Sequence, residues 1–339
     1  MSAPLPARLQ DYLDGVVRRG PETVHVDLSN ACNLRCIGCW NYSPLLREPR
    51  PAEWKRQMAD ADRVRALLAE VRALQGERVI FSGSGDPGTH PRLYDLIACA
   101  ADAGLKVTLI SNLTLLDPRR LLDAGARTFL VNVWAATPET YAATHPGQKP
   151  EAFAALAEKL RALRSRNVAL VFVVCRQNVH EVAAVAEFAA SVGARRIQYK
   201  LASTGGGTDA IALTAAERAG VLAGAGELRE RLERAGVGAN LDVFFERLRG
   251  APEESAVPAC YAGWYYSRVY VDGRVFLCCK HETEVGDLRR ASFREIWLGE
   301  RYQALRRRLR AGEWLPCCAQ CGNLDLNAGV HRARVETRD

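Results

Sequence analysis

The sequence predicts an α/β protein, a parallel sheet flanked by helices with a smaller cysteine-rich unit behind it. Between residues 23 and 205, short β-branched runs alternate with amphipathic helical stretches in about six units joined by short connections. Near residue 250 the composition shifts from alanine- and arginine-rich helix to Cys, Tyr, Trp and Gly. The 11 cysteines are mostly clustered, and a chain of 339 residues is long enough for one large core plus a smaller one.

Val24-His-Val-Asp-Leu-Ser29 alternates apolar and polar residues and reads as the first strand. Val64, Leu67, Leu68 and Val71 recur at helical spacing and place a helix over residues 58–75. A short apolar strand, Arg78–Ser82, runs into glycines. Helices are expected at 91–103, 118–124, 150–166 and 179–192, with strands at Lys106–Ser111, Thr128–Val133, Ala169–Val174 and Arg196–Leu201. Periodicity alone does not separate an open sheet from a barrel. In either, functional groups gather at the carboxyl ends of the strands. Ser203-Thr-Gly-Gly-Gly-Thr-Asp209 breaks the pattern as a loop, and residues 213–235 read as one helical segment. Tyr270-Val-Asp-Gly-Arg-Val-Phe276 reads as a hairpin turning through Asp-Gly. The expected organisation is an N-terminal extension (1–22), the α/β unit (23–205), a helical linker (206–249), the cysteine-rich unit (250–325) and a tail (326–339).

A hydrophobic content of 48% with 25% charged residues is globular composition. Met1-Ser-Ala-Pro-Leu-Pro-Ala-Arg8 has no basic-then-apolar run, and no apolar stretch approaches a bilayer span, so a cytoplasmic protein with no membrane partner is expected. The net charge of +7 suits an acidic partner. No basic stripe interleaves with aromatics, so no nucleic-acid partner is expected, and Arg306-Arg307-Arg308 reads as solvated surface. An odd cysteine count in such a chain points to metal binding rather than a disulfide framework.

Cys32-Asn-Leu-Arg-Cys36-Ile-Gly-Cys39-Trp40 sets three thiolates within eight residues. Three ligands leave one iron of a four-iron cube open for chemistry, whereas zinc wants a fourth protein ligand nearby. The spacing C-x3-C-x2-C before an aromatic residue, directly after a first strand, resembles the signature of the radical S-adenosylmethionine (SAM) superfamily. The resemblance implies a partial (β/α)6 barrel over roughly residues 20–205. It also implies that Cys32, Cys36 and Cys39 hold a [4Fe-4S] cluster whose open iron binds SAM, with a flavodoxin or ferredoxin-type electron donor. The implied chemistry is reductive cleavage of SAM to a 5′-deoxyadenosyl radical that takes a hydrogen atom from the substrate. Gly83-Ser-Gly-Asp-Pro87, after the second strand, resembles the superfamily's "GGEP" loop, with Ser84 for a glycine and Asp86 for the glutamate. That loop implies contacts to the methionine amino group from the backbone and from Asp86. Ser111 and Asn112 match the ribose-contacting position, and Trp40, Asn132 and Trp134 are further candidates for the SAM pocket.

Cys260, Gly273 and Cys278, with Cys318 and Cys321 beyond, follow C-x12-G-x4-C…C-x2-C. This pattern resembles the opening of the SPASM domain in its shorter "twitch" form. The resemblance implies an auxiliary [4Fe-4S] cluster on Cys260, Cys278, Cys318 and Cys321. Zinc in the same thiolates is the alternative. Cys279 and Cys317 adjoin two of these ligands and are alternatives to them. Cys279 is also a candidate hydrogen-atom donor, while Cys99 and Cys175 read as core thiols.

A fully ligated second cluster suits electron transfer, hence oxidation of a secondary alcohol in a sugar or aminocyclitol-like small molecule. Resemblance to aminocyclitol dehydrogenases of natural product biosynthesis points the same way. A first strand starting near residue 23 favours a small molecule over a leader-bearing peptide. Epimerisation with Cys279 as donor and peptide maturation are the competing readings. Lys200, Arg196, Tyr199 and His281 are candidate substrate contacts.

Overall fold

A computed structural model describes residues 6–250, 259–279, 281–320 and 324–336. Six parallel strands occur where expected: β1 (Thr23–Asp27), β2 (Arg78–Ser82), β3 (Lys106–Ser111), β4 (Thr128–Asn132), β5 (Asn167–Val174) and β6 (Arg196–Leu201). Four more follow: β7 (Gly238–Ala239), β8 (Tyr266–Val269), β9 (Arg274–Phe276) and β10 (Glu284–Asp287). All lie in one sheet, ordered β10-β9-β8-β1-β2-β3-β4-β5-β6-β7. The two ends do not meet, so the barrel is partial.

Alternation decides which residues face the helices. Val24, Val26, Val79, Phe81, Phe129 and Val131 are buried in the main apolar core against helices such as Ala61–Ala73 and Leu93–Asp102. The residues between them face the lumen. Cross-strand register groups His25 with Ile80 and Arg268, Asp27 with Ser82, Asn132 with Val171 and Gln198, and Val173 with Lys200. Asp60 caps the helix Ala61–Ala73 by accepting from the Asp62 and Arg63 amides.

The cysteine-rich region extends the barrel's own sheet, because β8 runs parallel to β1 with Thr23 opposite Tyr266. The hairpin turns as expected, with Gly273 at φ +87° and its amide donating to the Tyr270 carbonyl at 2.9 Å. Leu9 and Tyr12 of the N-terminal helix Ala7–Asp14 pack with Tyr261, Trp264, Tyr265 and Val330, joining the two termini. Residues 326–336 lie within a helix, Leu324–Glu336. The segment 213–235 divides into helices Ala215–Ala223 and Ala225–Ala235 at Gly224, a poor helix former. Arg306 departs from the expected solvated surface. It is 1% exposed, donates to the Gly263 and Trp297 carbonyls at 2.7 Å, and lies over the rings of Trp297 and Tyr302 at about 4 Å. No described helix is long and apolar enough to cross a membrane.

Candidate active site

The loop leaving β1 carries the first cysteine group and turns tightly, the Cys39 amide donating to the Cys36 carbonyl at 3.0 Å. Burial pushes all three thiols up, Cys32 to about 12, and for Cys36 the charges of Cys39 and Cys32 add to burial. Three such thiolates need a nearby positive charge. Among the described residues no three His, Cys, Asp or Glu side chains converge as ligands of a single ion would. A four-iron cube takes each thiolate at a different corner, and that wider donor set is the group these residues fit.

The glycine loop is zipped to this one backbone to backbone. The Gly85 amide donates to the Ser29 carbonyl at 3.0 Å, and the Asp86 amide to the Ala31 carbonyl at 2.7 Å. A Cβ on Gly83 would lie 2.1 Å from the Ser29 carbonyl oxygen, and one on Gly85 2.0 Å from that of Ala31. Backbone cannot yield as a flexible side chain would. Gly85→Ala is therefore expected to separate the loops and lower SAM affinity at least about tenfold, which equilibrium dialysis with labelled SAM measures.

Asp86 does not extend toward a ligand. It is 4% exposed, and its oxygens accept from the Gly88 amide (2.8 Å), the Asn112 amide (2.7 Å) and the Ser111 hydroxyl (3.0 Å). Burial raises its pKa, and these hydrogen bonds work against that shift. The geometry makes Asp86 a brace between the loops after β2 and β3. Pro87 is buried and opens the short turn that Asp86 caps. The Ser84 carbonyl accepts from the Asn41 amide group at 2.9 Å. Asn112 joins the brace to the cysteines, its amide 3.1 Å from Asn33 Oδ1 and 3.9 Å from Cys32 Sγ. Asn132 is half-buried on the lumen face, and Trp40 is 71% exposed. Leu113 and Trp134 hold positive φ (64° and 57°), so the backbone is strained just past β3 and β4.

A polar network in the lumen was not anticipated. Arg268 donates through Nη2 to both Asp27 oxygens at 2.9 Å, and Asp27 is 1% exposed. The Ser82 hydroxyl donates to Asp27 at 3.2 Å and hydrogen-bonds His25 Nε2, while the Tyr266 hydroxyl lies 2.8 Å from His25 Nδ1. Burial first, then the charges of Arg268 and Lys200, hold His25 well below its usual pKa, so it is neutral. The polar residues alternating with Val24 and Val26 were the available signal. Tyr199 is not a substrate contact, since its ring packs against Phe244 and its hydroxyl donates to the Val182 carbonyl at 2.9 Å.

The second cysteine group abuts this network. The Tyr270 hydroxyl donates to the Cys279 carbonyl at 3.5 Å, and the Arg268 guanidinium lies 5.1 Å from the Tyr270 ring centroid. Cys278 Sγ is 3.5 Å from Thr283 Oγ1, and Cys260 is buried. Cys260, Cys278, Cys317 and Cys318 border the same apolar core, and burial, then Cys318, push the Cys317 thiol up to about 11. Cys321 and the His281 side chain lie outside the described residues. Cys175 is buried, and Cys99 packs half-buried on the core.

This is the frame of a barrel enzyme with one open-sided and one auxiliary thiolate centre. Residues 26–189 match the radical SAM superfamily, and residues 260–322 match SPASM, an iron–sulfur cluster-binding domain. The chain carries a radical SAM domain and a SPASM-type iron–sulfur domain, and the cofactors these imply are SAM, a [4Fe-4S] cluster and auxiliary iron–sulfur chemistry. It is similar to an AdoMet-dependent heme synthase of Methanosarcina barkeri, 24% identical over 94% of each chain. A PqqA peptide cyclase of Ruegeria pomeroyi is 26% identical over 93% of this chain and 83% of its own. Among solved structures, anSMEcpe with bound AdoMet shares the fold at TM-score 0.64 and 15% identity, over 94% of this chain and 92% of that one.

Proposed function

We propose that this enzyme is a radical SAM dehydrogenase. It removes a hydrogen atom from the carbinol carbon of a small polar molecule, a sugar or aminocyclitol, and passes the second electron to the auxiliary site. The carrying observation is the polar seam of Asp27, His25, Ser82, Arg268, Tyr266 and Tyr270, which starts on the strand that leads into the first cysteine loop and reaches the second group at the Cys279 carbonyl. A ligand bearing hydroxyl groups suits a wall built from donors and acceptors better than an apolar one does.

When bound, the cluster at Cys32, Cys36 and Cys39 supplies the electron that cleaves SAM. The protein holds the substrate between the two sites and excludes water. Ser82, hydrogen-bonded to Asp27 and His25, provides a path for the hydroxyl proton. Trp40 and the backbone of Gly83–Gly85 would border SAM, with Ser111, Asn112 and Asn132 on its ribose side. Cys260, Cys278, Cys318 and Cys321 would hold the auxiliary cluster. A flavodoxin or ferredoxin-type donor in a reducing cytoplasm suits both the basic charge and the reduced thiols.

The relatives' names include a heme synthase and a peptide cyclase, so at 24–26% identity they support radical SAM chemistry and leave the reaction and the substrate to experiment. The test uses reconstituted, reduced enzyme with carbinol-deuterated aminocyclitols and monosaccharides. Deuterium in 5′-deoxyadenosine together with a ketone product is expected, and Cys279→Ala should keep turnover within about threefold. An epimer carrying solvent hydrogen, with stalled turnover in Cys279→Ala, would assign epimerisation instead. Turnover only with a peptide would assign maturation.

A further inference from the structure

Behind the first cysteine loop stands a wall whose polar atoms have no role in the brace or the lumen network. The helix Pro138–Thr144 ends beneath that loop, and the Ile37 amide donates to the Thr144 carbonyl at 2.9 Å. Tyr141, Thr144 and His145 are fully buried. The Tyr141 and His145 rings stack at 4.2 Å, and Trp134 meets His145 edge-on at 6.4 Å. Trp134 also backs the loop, since a Cβ on Gly38 would lie 3.0 Å from its ring.

Two atoms of this wall, the Tyr141 hydroxyl and His145 Nε2, are buried without a hydrogen-bond partner among the described residues. They are not equivalent. His145 Nδ1 is 3.0 Å from the Tyr141 carbonyl, which only accepts, and 3.0 Å from Thr144 Oγ1, whose own proton goes to the Thr140 carbonyl at 2.8 Å, so Nδ1 carries the proton and Nε2 is a bare acceptor. Burial holds His145 down at about 4, so it stays neutral. The free donor is therefore the Tyr141 hydroxyl. The helix that carries Tyr141 is bonded through the Thr144 carbonyl to Ile37, the neighbour of Cys36. A buried hydroxyl left without an acceptor is unfavourable, and a thiolate or bridging sulfide of a bound cluster supplies one.

We propose that Tyr141 donates a hydrogen bond to sulfur at the Cys36 corner of the SAM-binding cluster and thereby raises its reduction potential. Donors to cluster sulfur stabilise the reduced, more negative state. This inference rests on the cluster and not on the substrate, so it stands or falls separately from the dehydrogenase reading.

The test is Tyr141→Phe, which keeps the ring and its stacking, in reconstituted holoenzyme. An EPR-monitored redox titration should show a lower midpoint. At the wild-type midpoint potential the ratio of reduced to oxidised cluster should fall about threefold or more. Proton ENDOR of the wild type should show an exchangeable coupling beyond those of the Leu34 and Asn112 N–H groups at Cys32 Sγ, lost in deuterium oxide and absent in Tyr141→Phe. The same set of exchangeable couplings in Tyr141→Phe, or none beyond the N–H set in the wild type, would overturn the assignment. The second outcome is read on the wild type alone, so it decides even if the variant fails to load iron.

Discussion

Replacing Arg268 with methionine is expected to lower folding stability by about 3–5 kcal/mol, the usual penalty for stranding one member of a buried ion pair. Asp27 is 1% exposed, and both its oxygens accept from Arg268 at 2.9 Å. Burial opposes the charge on Arg268, but Asp27, Tyr266 and Tyr270 outweigh it and push its pKa up. With the guanidinium gone, the carboxylate keeps only the Ser82 hydroxyl at 3.2 Å and the neutral His25 beyond it. Urea unfolding of reconstituted protein, followed by circular dichroism, measures the loss. The double variant Asp27→Asn/Arg268→Met should recover much of it, because no unpaired charge remains. A loss below about 1 kcal/mol would show that water reaches Asp27 and that the seam between the cysteine groups is open. The pair also joins β1 to β8 (residues 27 and 268), so Arg268→Met should impair dehydrogenation more than uncoupled SAM cleavage.

The six barrel strands were legible because each is a short apolar run whose neighbours in sequence are also its neighbours in the sheet. The first cysteine group was legible for the same reason, with its three thiols in one loop. What the chain does not announce locally is pairing over long separations. Nothing in Tyr266–Val269 says that it will lie parallel to Thr23–Asp27, some 240 residues earlier. The Arg268–Asp27 pair and the polar lumen depend on that pairing. His25 and Asp27 were visible as the polar half of an alternating strand, but only the fold shows that this half faces a lumen. Asp86 shows the converse. Its position after β2 was read correctly from the motif, yet its direction depends on Ser111 and Asn112 at the end of the next strand. Arg306 read as surface because charge in a run is usually solvated. Aromatic faces and carbonyls arriving from Trp297, Tyr302 and Gly263 bury it instead.

Cys32→Ala/Cys36→Ala/Cys39→Ala should remove about four of about eight irons per chain and abolish SAM cleavage. The remaining iron should sit at Cys260, Cys278, Cys318 and Cys321. The two cysteine groups come from separate segments, residues 32–39 and 260–321, so emptying one leaves the other's donors in the chain. The triple variant carries no thiol in that loop, so no buried thiolate is left without its cation and the variant should fold. Iron, sulfide and zinc analysis of anaerobically reconstituted protein reads the result, with EPR confirming cubane character. About four irons in the parent and none in the variant, with zinc in both, would place zinc in the second site. Zinc carries no electron, so the dehydrogenase reading would lose its acceptor. The redox-neutral epimerase, with Cys279 beside Tyr270 as hydrogen donor, would then be the reading to pursue.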